Sequence, residues 1–383
     1  MDERPLARQW RGQFTGGDGL IELEPRAEPS RWLAIASPLL ALAVTVALGV
    51  LLFVLLGKDA LSCLQMFFVE PIKNGRAIAE LSIKVTPLLL IGLGLSLCFR
   101  SNVWNIGAEG QFILGSIFAS WVALRATPES GPGLLVALLL SGALGGALWA
   151  SITALLRDRF NASEILVSLM LVYVAEQLLG YLVNGPWKDP NGYNFPQTIT
   201  FLSSARVPRL IEGSRANIGL PLALLGAIAS WFFMHKSYAG YRLDVAGQAP
   251  AAARYAGFSA RSALWLPLLL SGALAGLAGA LEVAGPDGQL TTHVPLGYGF
   301  AAIIVAFVGR LDPLGVTLSS VLMSMFFIGG ELSQSRLGLP KSITGIFQGL
   351  LLFSLLTCDT FVKNKLRFRF SVSSSVSSKG LAK

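Results

Sequence analysis

Charge is scarce in this sequence. Asp, Glu, Lys and Arg make up 14% of its 383 residues, against about 25% in an ordinary soluble domain, and that class is excluded. Cysteine and histidine are scarcer still, at three and two residues. Cys63, Cys98 and Cys358 show no metal or redox spacing and read as small buried hydrophobes, while His235 and His293 stand apart as loop or interface residues. No Gly-x-x-x-x-Gly-Lys-Ser/Thr string is present, so the usual cradle for nucleotide phosphates is missing. Neither a catalytic metal nor a cofactor bound by this chain is expected.

What the chain has instead is apolar length. Hydrophobic residues reach 53% and the mean hydropathy is +0.61. Several apolar runs, at about 18 residues or more, are long enough to cross a bilayer as helix. The expected fold class is an all-α polytopic membrane protein. Ten apolar segments are read, at 33–56, 81–99, 103–124, 134–156, 163–184, 217–235, 263–284, 297–309, 314–331 and 343–360, giving about ten transmembrane helices. Residues 1–32 read as a cytoplasmic tail, without the short apolar core and cleavage site of a signal peptide. The membrane domain is expected over 33–360, with an external loop at 185–216 and a cytoplasmic loop at 236–262, and a second cytoplasmic tail at 361–383.

Threaded from a cytoplasmic N-terminus, 19 of the 30 Lys and Arg fall inside and 10 outside, with Lys84 within a span. Both termini are then cytoplasmic. The net charge of +8 therefore marks topology rather than a nucleic-acid partner. The eighth segment, at about 13 residues, is too short to cross at 1.5 Å per residue and is expected to be broken or re-entrant. Pro87, Pro267 and Pro313 are expected to kink their helices. Gly142-Ala-Leu-Gly-Gly146 and Gly272-Ala-Leu-Ala-Gly276 place small residues four apart, which lets helix backbones approach closely. Their likeness reads as shared composition rather than an internal repeat.

Between two of the apolar runs lies a polar stretch, Arg100-Ser-Asn-Val-Trp-Asn-Ile-Gly-Ala-Glu-Gly-Gln111. In hydrocarbon such residues are tolerated mainly where they face protein or a water-filled cavity, so a helix boundary inside a transport protein is expected. Asn105, Glu109 and Gln111 are candidates to line a pathway; the other reading of Glu109 is a cap paired with Asn102 or Asn105. Trp104 reads as an interfacial anchor or a stacking face. Glu176 and Gln177 interrupt the apolar run 166–183 on faces overlapping Tyr173 and Tyr181, and a carboxylate at membrane depth is a functional candidate. Glu282 and Glu331 read as reaching water near the outer ends, Glu164 as a first-turn acid beside Ser163, and Arg310 with Asp312 as a local pair.

In the loop at 236–262, Pro250 precedes a run of good helix formers and Gly257 is placed to stop it. A short helix with a small, smooth face suited to docking is expected there. Ala246-Gly247, Ala252-Ala253 and Gly257, followed by the glycine-rich span 271–280, resemble ABC importer permeases of the branched-chain amino acid, simple sugar and nucleoside superfamily. The stretch Asn102–Gln111 resembles the nucleoside and simple-sugar branch, as does Gly297-Tyr-Gly-Phe300 continuing through Val305–Gly309 to Pro313-Leu-Gly315. One departure is Ala301, where the family pattern carries an acidic residue.

The resemblance implies that Ala246, Gly247, Ala252, Ala253 and Gly257 belong to a loop that couples the chain to ATPase subunits. It implies two permeases, identical or related, in a bacterial inner membrane, with separate ABC ATPase subunits using ATP. A periplasmic or lipoprotein substrate-binding protein would deliver a nucleoside or simple sugar. The other functional reading is an ATPase-independent secondary transporter or channel, against which the docking-type loop argues. The aromatics and turn residues of the 185–217 segment suit a docking surface or a plain surface loop equally.

Overall fold

A computed structural model describes residues 21–25, 31–131, 133–210 and 213–368. Two compact units are formed. In the first, comprising described residues up to Thr45 and from Phe353 onward, strands β1 (Ile21–Pro25) and β2 (Asn364–Phe368) pair antiparallel with Ile21 opposite Phe368. There the Ser37 hydroxyl donates to Asp359 Oδ1.

The second unit, Val46–Leu352, carries the rest. Each of the ten apolar segments falls on a helix: α1 (Arg31–Leu55), α3 (Gly75–Arg100), α4 (Ala108–Ala123), α5 (Gly133–Phe160), α6 (Glu164–Asn184), α7 (Gly219–Lys236), α10 (Ala260–Glu282), α11 (Tyr298–Val308), α12 (Pro313–Leu337) and α13 (Ile343–Lys363). Seven of these, α1, α3, α5, α6, α10, α12 and α13, are long and apolar enough to cross a membrane. The chain is thus a multi-pass membrane protein. The other three, α4, α7 and α11, fall short of that standard, and α11 with its 11 residues is only about 16 Å long.

Two helices have no counterpart in the sequence reading, one at 60–68 and one at 238–248. Helix α2 (Ala60–Phe68) starts at Asp59, whose carboxylate accepts from the Ser62 amide at 3.0 Å. The Ser62 hydroxyl, also donating to it, holds the Asp59 carboxyl below the usual range. The short helix earns its place through Phe67, which is fully buried with its ring centre 4.7 Å from Phe347 and 6.0 Å from Phe53. Such aromatic contacts add about 0.5–1.5 kcal/mol each beyond burial alone.

Helix α3 is the axis of this unit. Its Leu88–Cys98 stretch is apolar all round and buried all round, as a helix without a polar face must be. Helices α5 and α6 bury narrow stripes, such as Ser168, Val172, Ala175, Leu179 and Val183, and turn residues like Leu140, Leu144 and Leu148 outward, as suits hydrocarbon. The two glycine strings do not merely share composition: they pack on each other. A Cβ on Gly146 of α5 would stand 2.1 Å from Gly272 O of α10, and one on Gly115 of α4 would stand 2.2 Å from Gly276 Cα. Three backbones therefore touch where only hydrogen fits.

Pro87 and Pro267 lie inside α3 and α10, but Pro313 opens α12 at its first turn, with Asp312 as the cap. Glu282 does not reach water. It is 5% exposed, at the end of α10 where the chain continues into a π turn, Val283–Asp287, and where Lys84 of α3 and Glu331 of α12 are also near. Cys63 and Cys98 are buried, and the Cys98 thiol donates to Pro267 O at 3.2 Å.

Candidate functional site

The polar stretch is an irregular connector that carries the chain from α3 into the interior. Asn102 turns it, in the left-handed region at φ 56°, and Trp104 rests against Phe99 and Phe307 while remaining 39% exposed. From Asn105 the side chains point inward and are used. Asn105 Nδ2 donates to Gln111 Oε1 at 3.0 Å, and Gln111 Nε2 returns a bond to Asn105 Oδ1 at 3.1 Å. Asn105 also donates to Ser271 Oγ on α10 and accepts from the Gly107 amide. The Ile106 amide donates to Ser168 Oγ on α6 at 3.2 Å. Two of these bonds satisfy backbone donors of the irregular stretch, the amides of Ile106 and Gly107.

Glu109 is 1% exposed and does not pair with Asn102 or Asn105. Its two carboxyl oxygens accept from the backbone amides of Gly297, at 2.9 Å, and Gly299. Those amides are the open donors at the start of α11. The start of α4 and the start of α11 thus meet across one carboxyl group, and both positive helix ends favour it. The approach is close: a Cβ on Gly299 would lie 2.2 Å from Glu109 N. Ala301, at the position where an acid was expected, is buried in the first turn of α11.

Glu176 and Gln177 lie on α6, Glu176 near enough to Glu109 for the two carboxyl groups to act on each other electrostatically. Gln177 is exposed and Glu176 half-buried, beside the exposed rings of Tyr173 and Tyr181. They form a polar patch in the middle of an outward apolar face, separate from the Asn105 network.

The small-residue loop folds as two helices, α8 (Tyr238–Gln248) and α9 (Pro250–Tyr255). Ser237 caps α8 by accepting from the Gly240 amide, Pro250 opens α9, and Gly257 ends it at φ 78°. Helix α8 is seated on the end of α3. A Cβ on Gly247 would stand 2.0 Å from Arg100 O, and Arg100 Nε lies 3.6 Å from Asp244 Oδ1. Helix α9 stands over a cavity of about 290 Å³ lined by Ser101, Asn102, Arg157, Glu164, Ala253 and Phe258. Glu164 pairs there with Arg157 at 3.2 Å. The fold so brings together the loop, the polar stretch and the α5–α6 turn. Ala246 and Gly247 are half-buried against it and Ala253 is buried, whereas Ala252 and Gly257 face outward.

Comparison with known proteins decides the family. The profile described as branched-chain amino acid transport system, permease component, matches residues 77–356. The chain belongs to that family. Among relatives, the glucose ABC transporter permease protein TsgB13 of Haloferax volcanii is 32% identical over 91% of this chain and 94% of its own length. The guanosine ABC transporter permease protein NupP of Bacillus subtilis is 30% identical over 86% of this chain and 96% of its own. The nucleoside ABC transporter permease protein NupB of Lactococcus lactis is 26% identical over 82% and 89%. No solved structure matches. The chain is a permease subunit of an ABC importer, not an enzyme.

Several contacts of this permease carry no sequence signal. Ser168, Ser271, Gly297 and Gly299 meet Asn105–Glu109 across 62 to 190 positions, distances at which no periodicity speaks. Asp312 accepts from the Leu314 amide and lies 3.5 Å from His235, which gives that histidine a specific neighbour at an interhelical contact. Glu331 pairs with Lys84 at 3.1 Å.

Proposed function

We propose that the permease forms the inner-membrane path of a bacterial importer for nucleosides or simple sugars. Two permeases, identical or related, would face each other; ATPase subunits, which alone bind ATP, would seat on α8 and α9; an external binding protein would deliver the solute. The observation that carries this reading is the division of α9. Ala253 is turned inward at 4% exposure while Ala252 and Tyr255, the latter 97% exposed, project from the molecule. A smooth, protruding face anchored through Gly247 to the end of α3 suits transmission of movement from a docked subunit into the membrane helices. The relatives named for glucose, guanosine and nucleosides support the substrate class.

The topology that accompanies this reading has ten crossings, short α11 among them, with both termini and the 236–262 loop cytoplasmic and the 185–216 loop external. In it, α11 reaches the cytoplasmic side at Gly309 and starts about half-way through the bilayer, where α4 also starts. Glu109 and the Asn105–Gln111 pair then hold a helix junction at mid-depth beside the path, and Glu176 with Gln177 present polar groups toward it from α6. The test is uptake of labelled nucleosides and sugars into vesicles holding the assembled complex, with and without ATP. Uptake that persists with no ATPase subunit present would sink the proposal and leave an ATPase-independent carrier.

A further inference from the structure

Near the turn between α12 and α13, a cavity of about 410 Å³ is lined by Leu296, Phe327, Glu331, Gln334, Thr344 and Gln348, with Lys341 and Ser342 at its exposed rim. Its floor is a close helix contact, since a Cβ on Gly330 would clash with Thr344 Oγ1 at 1.7 Å. The volume lies within the range of about 300–1,000 Å³ usual for sites of small organic ligands.

The lining chemistry narrows the ligand. Glu331 offers two acceptor oxygens, and its side chain is 58% exposed. Because Lys84 Nζ stands 3.1 Å from one of them, the pair is neutral as a whole and does not select a cation. Two adjacent acceptors suit two adjacent hydroxyl donors. Gln348 lines the cavity, and its amide nitrogen lies just behind the wall with no hydrogen-bond partner among the described residues, so that a turn of the amide group presents an unused donor. An orphaned donor of this kind costs about 1–3 kcal/mol until something accepts from it. Gln334 adds a further donor and acceptor, and Phe327 adds an aromatic face, held by an edge contact to Tyr298 at 5.3 Å, on which the C–H side of a ring can rest.

We propose that this cavity is a contact site for a neutral solute bearing a vicinal diol on a ring, whether the ring of a sugar or the ribose of a nucleoside. The proposal rests on the importer reading and adds to it a wall that touches the solute. Glu331 accepts from the diol, Gln348 donates to a ring or hydroxyl oxygen, and Phe327 packs against the ring face.

The experiment uses the full chain in lipid nanodiscs, with Cys63, Cys98 and Cys358 replaced by Ala. A single reporter is introduced as Gly345→Cys, on the cavity lining, where a new side chain meets nothing within 4 Å, and a control as Tyr193→Cys, at a position 94% exposed. Maleimide labelling is timed with D-glucose, uridine or 2′,3′-dideoxyuridine. Glucose or uridine at twice its dissociation constant should slow labelling at 345 about threefold, leave the control unchanged, and lose the effect when Gln348→Leu is added. The dideoxy compound should not protect. Equal labelling under all three solutes, or equal protection by uridine and its dideoxy analogue, overturns the proposal. Uptake by the wild-type complex is measured in parallel. ATP-driven uptake without diol protection refutes the cavity alone, whereas uptake independent of ATP refutes the importer reading.

Discussion

Glu109→Gln separates a structural from a solute-facing role for the carboxyl group at the α4–α11 junction. Glu109 accepts from the amides of Gly297 and Gly299 and is 1% exposed, so no water can replace it. Glutamine keeps one acceptor oxygen and turns an amide donor toward the other backbone donor. One hydrogen bond is lost and an N–H is left unpaired, a cost of about 2–4 kcal/mol. Alanine removes both acceptors at the meeting point of two helix ends, and the cost rises to about 3–5 kcal/mol. The assay is the apparent melting temperature of detergent-purified protein, read as loss of the monodisperse peak on heating. E109Q should melt below wild type and E109A lower again. Wild-type melting and wild-type uptake in E109Q would refute the reasoning. Wild-type melting with lost uptake would instead give the carboxyl group a direct role in transport.

Further consequences can be checked by similar means. Ala252→Glu, on the exposed side of α9, should leave yield and melting unchanged while abolishing stimulation of ATP hydrolysis in the assembled complex; normal stimulation would remove α9 from the docking face. Ala253→Glu places a charge at a position 4% exposed and should instead lower the yield of folded protein, measured by gel filtration. Gly146→Ala puts a methyl group 2.1 Å from Gly272 O, so the α5–α10 crossing should lose about 1–3 kcal/mol or more, seen as a lowered melting temperature. Asn105→Ala and Gln111→Ala should be non-additive, because each removes the same reciprocal pair; a double-mutant cycle giving simple addition would argue against that pair.

The helices of this permease were legible because hydrocarbon-length apolar runs are a one-dimensional signal. Each of the ten runs became a helix, and the shortest, at 297–309, became the 11-residue α11. The ends of α9 were legible for a local reason as well: proline fixes the first turn and Gly257 takes a left-handed angle that other residues avoid. Helix α2 escaped notice because nine mixed residues make no membrane-length run, although Asp59 marks its start. Glu109 stood out in the sequence as a carboxylate in an apolar setting, yet its partners lie 188 and 190 residues away, and a bond to a distant helix end leaves no trace in local spacing. Glu282 misled for a related reason, since the groups around it come from distant segments, Lys84 and Glu331 among them. The alikeness of the two glycine strings was visible, but not that each is the other's partner.

That partnership bears on how the molecule can move. Helices that slide past one another do so by exchanging side-chain rotamers in the layer between them. Where Gly115, Gly146, Gly272 and Gly276 meet, no such layer exists, and a shift of one residue would drive a Cβ into a carbonyl. Sliding of α4, α5 and α10 past one another is therefore resisted at these crossings by backbone contact rather than by side-chain repacking.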